Sequence, residues 1–229
     1  MGKYLSGTSL VGGTVNHERI KDDYYATDPG STFALFEVEQ FDETRFLEPC
    51  CGEGHISKVI KHRKPNSSIK STDLIDRGFG EGEIDFLTNE YSEKFDYVIT
   101  NPPYKLAQKF IEKSLKLTNK KVAMFLKIQF LESVGRYDLF QNTPLKTVHV
   151  FSGRQDPWSG GQQLNPKTGK KWGSTMCFAW FVWEHGYSGN PMINWIHPGQ
   201  CKIDDDFSLL SDTEVSYGNI KKDDDGFWD

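Results

Sequence analysis

The sequence predicts an α/β domain built on a largely parallel sheet, with its ligand site at the carboxyl ends of the strands. Three observations support this. Short β-rich runs alternate with amphipathic helical patterns from residue 32 to 183. A glycine turn sits between the first such run and the first following helix. The β-rich run Phe95–Thr100 ends on two prolines, which bar further regular pairing.

Taken in order, Thr32–Phe41 places Phe33, Phe36 and Phe41 at helix-compatible spacing after Pro29. Arg45–Glu48 reads as a strand, followed by the glycine turn and a helix through Ile56, Val59 and Ile60. Ser68–Asp73 reads as a second strand, Ile84–Leu87 as a third and Phe95–Thr100 as the next. Ala107–Leu117 is amphipathic, with Phe110, Ile111, Ser114 and Leu115 inward and Lys109, Lys113 and Lys116 outward. Val122–Ile128 then reads as a buried strand, Phe130–Phe140 as a helix, Lys146–Phe151 as a strand and Thr175–Trp183 as a long final strand. Residues 1–23 are polar and glycine-rich and are expected to form a loose arm; 24–201 form the domain, and 202–229 an acidic tail.

Composition narrows the function classes. Of 229 residues, 37% are hydrophobic and 26% charged, enough apolar material for one full core. The apolar run around Cys177–Trp183 falls far short of the roughly 20 residues that span a bilayer. No pair among the four cysteines has metal or redox spacing, so free thiols in a reducing cytoplasm are expected, with no membrane and no metal. The net charge of −5 hides an asymmetry: residues 105–175 carry 13 basic and 4 acidic side chains, while both flanks are acidic. A basic middle is an electrostatic footprint that suits phosphates.

Four motifs carry chemistry. In Glu48-Pro49-Cys50-Cys51-Gly52-Glu53-Gly54, the two glycines allow a tight turn and close approach of a ligand to the helix N-terminus. Ser57 stands where a dinucleotide fingerprint would carry its third glycine, which weakens a pyrophosphate-binding reading. Asp73, ending the next strand, can accept from two ribose hydroxyls, and Asp85-Phe86 offers a carboxylate and a ring to an adenine. Asn101-Pro102-Pro103-Tyr104 holds an amide and a backbone carbonyl toward one point beside an aromatic face, a pair of acceptors for a planar amine. A fifth feature is the Ser152–Ser174 loop, where Arg154, Lys167, Lys170 and Lys171 interleave with Trp158 and Trp172, a pattern for phosphate contact and base stacking.

Together these motifs resemble the S-adenosylmethionine-dependent amino-methyltransferases, and most of all the phage and bacterial DNA adenine-N6 methyltransferases. Tyr25-Ala26-Thr27-Asp28-Pro29 resembles the Y-x-T-P element of that class, with Asp28 inserted. The resemblance covers residues 24–184. It implies a Rossmann-like class I fold with a mostly parallel seven-stranded sheet and an antiparallel last strand. It further implies Thr27, Glu48, Cys50, Gly52 and Gly54 around the cofactor's methionine end, Asp73 on its ribose and Asp85 with Phe86 at its adenine. Asn101 and the Pro102 carbonyl would take the acceptor amine, with Pro103 stiffening the turn and Tyr104 stacking on an extruded base. The expected activity is methyl transfer to adenine N6 in DNA at a short or relaxed target, as in restriction-modification, in a bacterial cell or phage-infected host. Alternatives are an N-P-P-Y enzyme acting on protein glutamine or rRNA guanine N2, or a non-catalytic cofactor-binding anti-defence protein.

Overall fold

The computed structural model describes residues 24–155, 158–159, 161–170 and 176–209. The expected arm at 1–23, Lys171, Trp172 and the tail beyond 209 lie outside the described residues. Among the described residues, no helix is long and apolar enough to cross a membrane.

Seven strands form one sheet in the order β3 (Ser68–Ser71), β2 (Arg45–Glu48), β4 (Phe95–Thr100), β5 (Thr118–Lys127), β8 (Phe178–Glu184), β6 (Leu145–Phe151), β9 (Met192–Ile196). Every pairing is parallel except those of β8, which runs antiparallel to both β5 and β6. Both faces are covered. Leu47, Val98, Val122, Met124, Phe181 and Trp183 share one core with the helix Ala107–Leu117 (α3). Phe46, Tyr97, Ile99, Ala123, Phe125 and Trp180 share the other with Pro29–Val38 (α1) and His55–Arg63 (α2). Neighbouring residues of one strand thus serve opposite cores. That is why the central strands read as unbroken apolar runs, not as alternation.

Two elements differ from the sequence expectation. Ile84–Leu87 is an irregular turn, its Ile84 N–H donating to the Asp73 carbonyl at 2.9 Å just after an isolated bridge between Thr72 and Glu81. Four positions of strand-like composition do not force a strand there, because Asp85 closes an Asx turn onto the Leu87 N–H at 2.9 Å. The seventh strand is instead β9, past the expected final strand, pairing parallel to β6 with Met192, Ile193 and Trp195 exposed. The antiparallel strand is therefore interior to the sheet and next to last in sequence. The span Phe130–Phe140, expected as one helix, splits into two short 3-10 turns and the helix Tyr137–Asn142 (α4). Arg136 causes part of that break, donating to the carbonyl oxygens of Phe130 and Glu132.

A two-stranded ribbon stands apart from the main sheet: Tyr25–Ala26 (β1) pairs antiparallel with Trp158–Ser159 (β7). Beyond β9, Phe207 packs edge-on against Phe33, and Asp204 lies 3.0 Å from His62 Nε2, so the chain past residue 201 folds back onto α1 and α2.

Candidate active site

The carboxyl ends of β2, β3 and β4 open into a cavity of about 290 Å³, near the lower end of the range of roughly 300–1,000 Å³ for ligand pockets. Its wall includes Thr27, Glu48, Cys50, Asp73, Asp85, Phe86 and the run Asn101–Tyr104. Residues spread over a long stretch of sequence therefore meet at one place, because a parallel sheet gathers the loops at the carboxyl ends of its strands.

The glycine loop frames the cavity. Gly52 and Gly54 have φ of 54° and 81°, in the left-handed region. A Cβ on Gly52 would lie 2.5 Å from the Tyr24 ring, and one on Gly54 would lie 2.5 Å from the Phe79 ring. Asp73 Oδ2 accepts from the Gly52 N–H at 2.8 Å, while Oδ1 accepts from the Ile75 N–H at 2.9 Å. Each oxygen has a further lone pair, so Asp73 both pins the loop and faces the cavity. Ser57, at the site of the missing third glycine, donates its hydroxyl to Glu48 and lies 2.6 Å from Ser71 Oγ. That group ties β2, α2 and β3 together. Burial drives the Glu48 carboxyl well above the usual carboxylate range despite its bonds from Ser57. Burial likewise drives the Cys50 thiol up, reinforced by Asp73 and Glu48.

Asn101 comes directly after β4. Its Nδ2 donates to the Tyr25 carbonyl at 3.1 Å, which leaves the amide oxygen as the acceptor. Tyr104 is half-buried, with the Lys127 ammonium 4.7 Å from its ring centre and Phe178 at 6.3 Å. Phe86 is more deeply buried than an adenine-facing ring needs to be, at 2% exposed, and packs on Phe110 at 4.8 Å.

The inserted Asp28 has a local cause. It caps α1, accepting from the Gly30 N–H at 2.8 Å ahead of Pro29 in the first turn, and its second oxygen accepts from Trp158 Nε1 at 3.2 Å. Trp158, expected as a nucleic-acid contact, is instead buried, its ring 5.2 Å from His55 in an edge-to-face arrangement. The pairing of β7 with β1 holds it there. Arg154, Lys167 and Lys170 are exposed.

Three polar or aromatic-polar wall residues escape the motif reading: Tyr24, His55 and Arg77. The Tyr24 hydroxyl accepts from the Glu53 N–H at 3.1 Å, and the Arg77 guanidinium lies 4.1 Å from its ring. Burial raises the Tyr24 phenol above its usual range. Burial also lowers the His55 imidazole to about 4, with Lys58 adding to the effect, so His55 is neutral. A polar residue directly after the second glycine was the one available signal for it.

No family model matches the chain. It is 27% identical over 187 residues to an uncharacterized adenine-specific methylase of Mycoplasma pneumoniae, covering 72% of this chain and 41% of that protein. It is 29% identical over 91 residues to the ribosomal RNA small subunit methyltransferase C of Haemophilus influenzae, 34% of this chain and 27% of that one. The chain thus spans less than half the length of these relatives. Among solved structures, the type I restriction-modification methyltransferase subunit from Streptococcus thermophilus superposes with a TM-score of 0.51 at 13% identity, covering 70% of this chain and 44% of that one. The fold is that of the Rossmann-like class I methyltransferases, whose relatives by name and architecture imply S-adenosylmethionine as methyl donor.

Proposed function

We propose that the chain transfers the methyl group of S-adenosylmethionine to the N6 amine of adenine in DNA, at a short or relaxed target in the cytoplasm, with residues 24–201 as the catalytic domain. The observation that carries this reading is the Asn101 amide, fixed by the Tyr25 carbonyl at the wall of a cavity that the glycine loop and Asp73 also border. The cavity fits the donor chemically: a turn that admits a ligand to a helix N-terminus, a carboxylate for ribose hydroxyls, and Asp85 with Phe86 beside it.

An aromatic amine is a poor nucleophile, because its lone pair is delocalised into the ring. When bound, S-adenosylmethionine supplies an electrophilic methyl group on a sulfonium. Asn101 Oδ1 and the Pro102 carbonyl accept the two amine hydrogens and hold them out of the ring plane, which localises the lone pair toward that methyl. Tyr104 stacks on the base, its ring backed by the Lys127 ammonium. Positioning and electrostatics supply the rate, with no metal and no covalent intermediate. A base paired in duplex cannot enter such a cavity, so the reaction requires extrusion. The adenine-specific name of the Mycoplasma relative supports the acceptor.

The second reading keeps the chemistry and changes the acceptor to ribosomal RNA. The 91-residue match to a ribosomal RNA methyltransferase favours it. Methylation assays on duplex DNA, single-stranded DNA, ribosomal RNA and protein, with base-resolved mass spectrometry, decide between them. N6-methyladenine in DNA is the expected product; product in RNA alone moves the function to the second reading.

A further inference from the structure

The sheet ends on a strand that is bare along its outer edge and over most of both faces. β9 pairs with β6 on one side, and among the described residues no strand lies against the other. Four of its five residues are exposed, with Met192 at 45%, Ile193 at 51% and Trp195 at 68%. A row of unpaired N–H and C=O groups is a template for another chain, so edge strands are ordinarily blunted by lysine, a bulge or a covering element. β9 reads Met-Ile-Asn-Trp-Ile, without a charge. Pro191 and Pro198 limit its length and leave its interior open to pairing.

The ladder to β6 fixes which backbone groups are free. The Ser152 N–H donates to the Ile196 carbonyl at 3.0 Å, so Ile196 turns its backbone toward β6. Successive residues of a strand turn their N–H and C=O groups to opposite edges. Met192 and Asn194 therefore also face β6, and Ile193 and Trp195 present their backbone groups at the open edge. The side chains of Ile193 and Trp195 share one face, in register with Val148 and Val150 of β6. They continue the apolar side of the sheet to which Val148 belongs.

We propose that β9 is a self-association surface, on which a second copy of this chain pairs antiparallel about a two-fold axis at Asn194. In that register Ile193 faces the partner's Trp195 and Trp195 faces the partner's Ile193. These are the residues whose backbone groups are free, and each pair exchanges two N–H···O bonds. Asn194 meets its own copy in the closer, non-hydrogen-bonded pairing, where two amides can bond each other. An aromatic opposite a β-branched side chain is a favourable cross-strand pair. Charge argues for this occupant too. A two-fold axis sets a patch against its own copy, which like charges oppose, and residues 186–201 contain no Asp, Glu, Lys or Arg. The cavity lies toward the other edge of the sheet, at β2, β3 and β4, so both copies keep it open. The inference is independent of the acceptor. One short strand from each copy buries less than the roughly 800 Å² per partner of a standard interface, so the dimer depends on concentration.

Sedimentation velocity of the full chain over a concentration series tests this. The wild-type chain is expected to pass from monomer to dimer within the micromolar range. Ile193→Lys with Trp195→Lys sets like charges opposite each other across the axis. Both positions are exposed, so melting is expected to hold while dimerisation weakens about tenfold or more. Cross-linking reads the register. Opposed residues of a non-hydrogen-bonded pair lie about 4.5 Å apart at Cα, within reach of a disulfide. Asn194→Cys is therefore expected to give a disulfide-linked dimer under oxidised glutathione, well above the background that the four native cysteines set in the wild-type chain. Trp195→Cys, which faces the partner's Ile193, is expected to stay near that background. A wild-type chain that stays monomeric throughout, a dimer that survives the double substitution, or equal linking in the two cysteine variants would overturn the assignment.

Discussion

The two ends of the sheet treat polar side chains in opposite ways. Around the start of β5, Lys121 donates to Glu39 at 2.6 Å and lies 3.4 Å from Glu184; Lys146 reaches the same Glu184 at 2.7 Å, and His149 Nε2 lies 2.9 Å from Glu39. Charges meet opposite charges there, and among the described residues only His149 Nδ1 lacks a partner in this network. At the carboxyl end, by contrast, the buried His55 Nδ1 and Thr27 Oγ1 have no partner among the described residues. Paired groups at one end build the fold. Unpaired groups at the other carry a desolvation cost that no bond among the described residues offsets. Burial alone does not tell the two histidines apart; what each one faces does.

The largest expected effect breaks the paired end. Glu39→Ala leaves His149 without its carboxylate and Lys121 with Glu184 alone, and removing one partner of a buried pair costs about 3 kcal/mol. Chemical denaturation is expected to show that loss while S-adenosylhomocysteine affinity of the folded fraction stays unchanged. A change in affinity would mean that the two ends are coupled.

Of similar size, but in rate and not in stability, is Asn101→Ala. Loss of a preorganised polar group that acts in the transition state costs roughly 10²–10³-fold in turnover. Thermal melting and cofactor affinity are expected to stay near wild type, since the hydrogen bond given up is the exposed one to the Tyr25 carbonyl. Normal turnover in this variant would remove Asn101 from the chemistry.

Acid sharpens the comparison further. Burial works to raise the Glu39 carboxyl, but hydrogen bonds from His149 and Lys121 and their charges outweigh it and hold Glu39 below the usual glutamate range. A depressed carboxylate contributes stability that is fully present above its unfolded value and is lost as pH falls through the folded one. Glu39→Gln is therefore expected to start less stable at neutral pH and to lose less on acidification. Parallel stability curves between neutral pH and the acid limb would show that Glu39 is not the group responsible.

The smallest effect falls on the exposed loop. Lys167→Ala with Lys170→Ala removes two surface charges, and salt dependence of DNA binding is expected to flatten by about 0.9 in log–log slope for each phosphate that is no longer neutralised. Filter binding across a salt series measures it. An unaltered slope would place the nucleic-acid contacts elsewhere in the basic middle of the chain.

Much of this architecture is legible in the sequence, and the exceptions have physical causes. The central strands announce themselves because residues buried on both faces leave long apolar runs, as in Val122–Leu126 and Phe178–Trp183. The cavity wall is legible because a parallel sheet turns strand order into a place: the loops leaving β2, β3 and β4 must meet. The edges are not. Ile84–Leu87 has the composition of a strand but forms an Asx turn, and β9 is a strand although four of its five residues are exposed. Edge pairing depends on a neighbour that the local sequence does not contain. Trp158 is deceptive for a similar reason: its surroundings in sequence suit a stacking surface, but its partners, Asp28 and His55, lie far away in the chain.

The β1–β7 ribbon sets an order of assembly. It joins the start of the domain to a loop near its far end, with Asp28 and Trp158 separated by 130 residues and only two residue pairs in register. Closing so long a loop costs chain entropy that two pairs cannot offset by themselves. The ribbon forms only once the main sheet has already brought its ends together. The ribbon is therefore expected to form after the main sheet and to open before it. In hydrogen exchange, the amides of Tyr25 and Ala26 should lose protection well before those of β4 and β5, and a ligand bound behind them should slow that opening first.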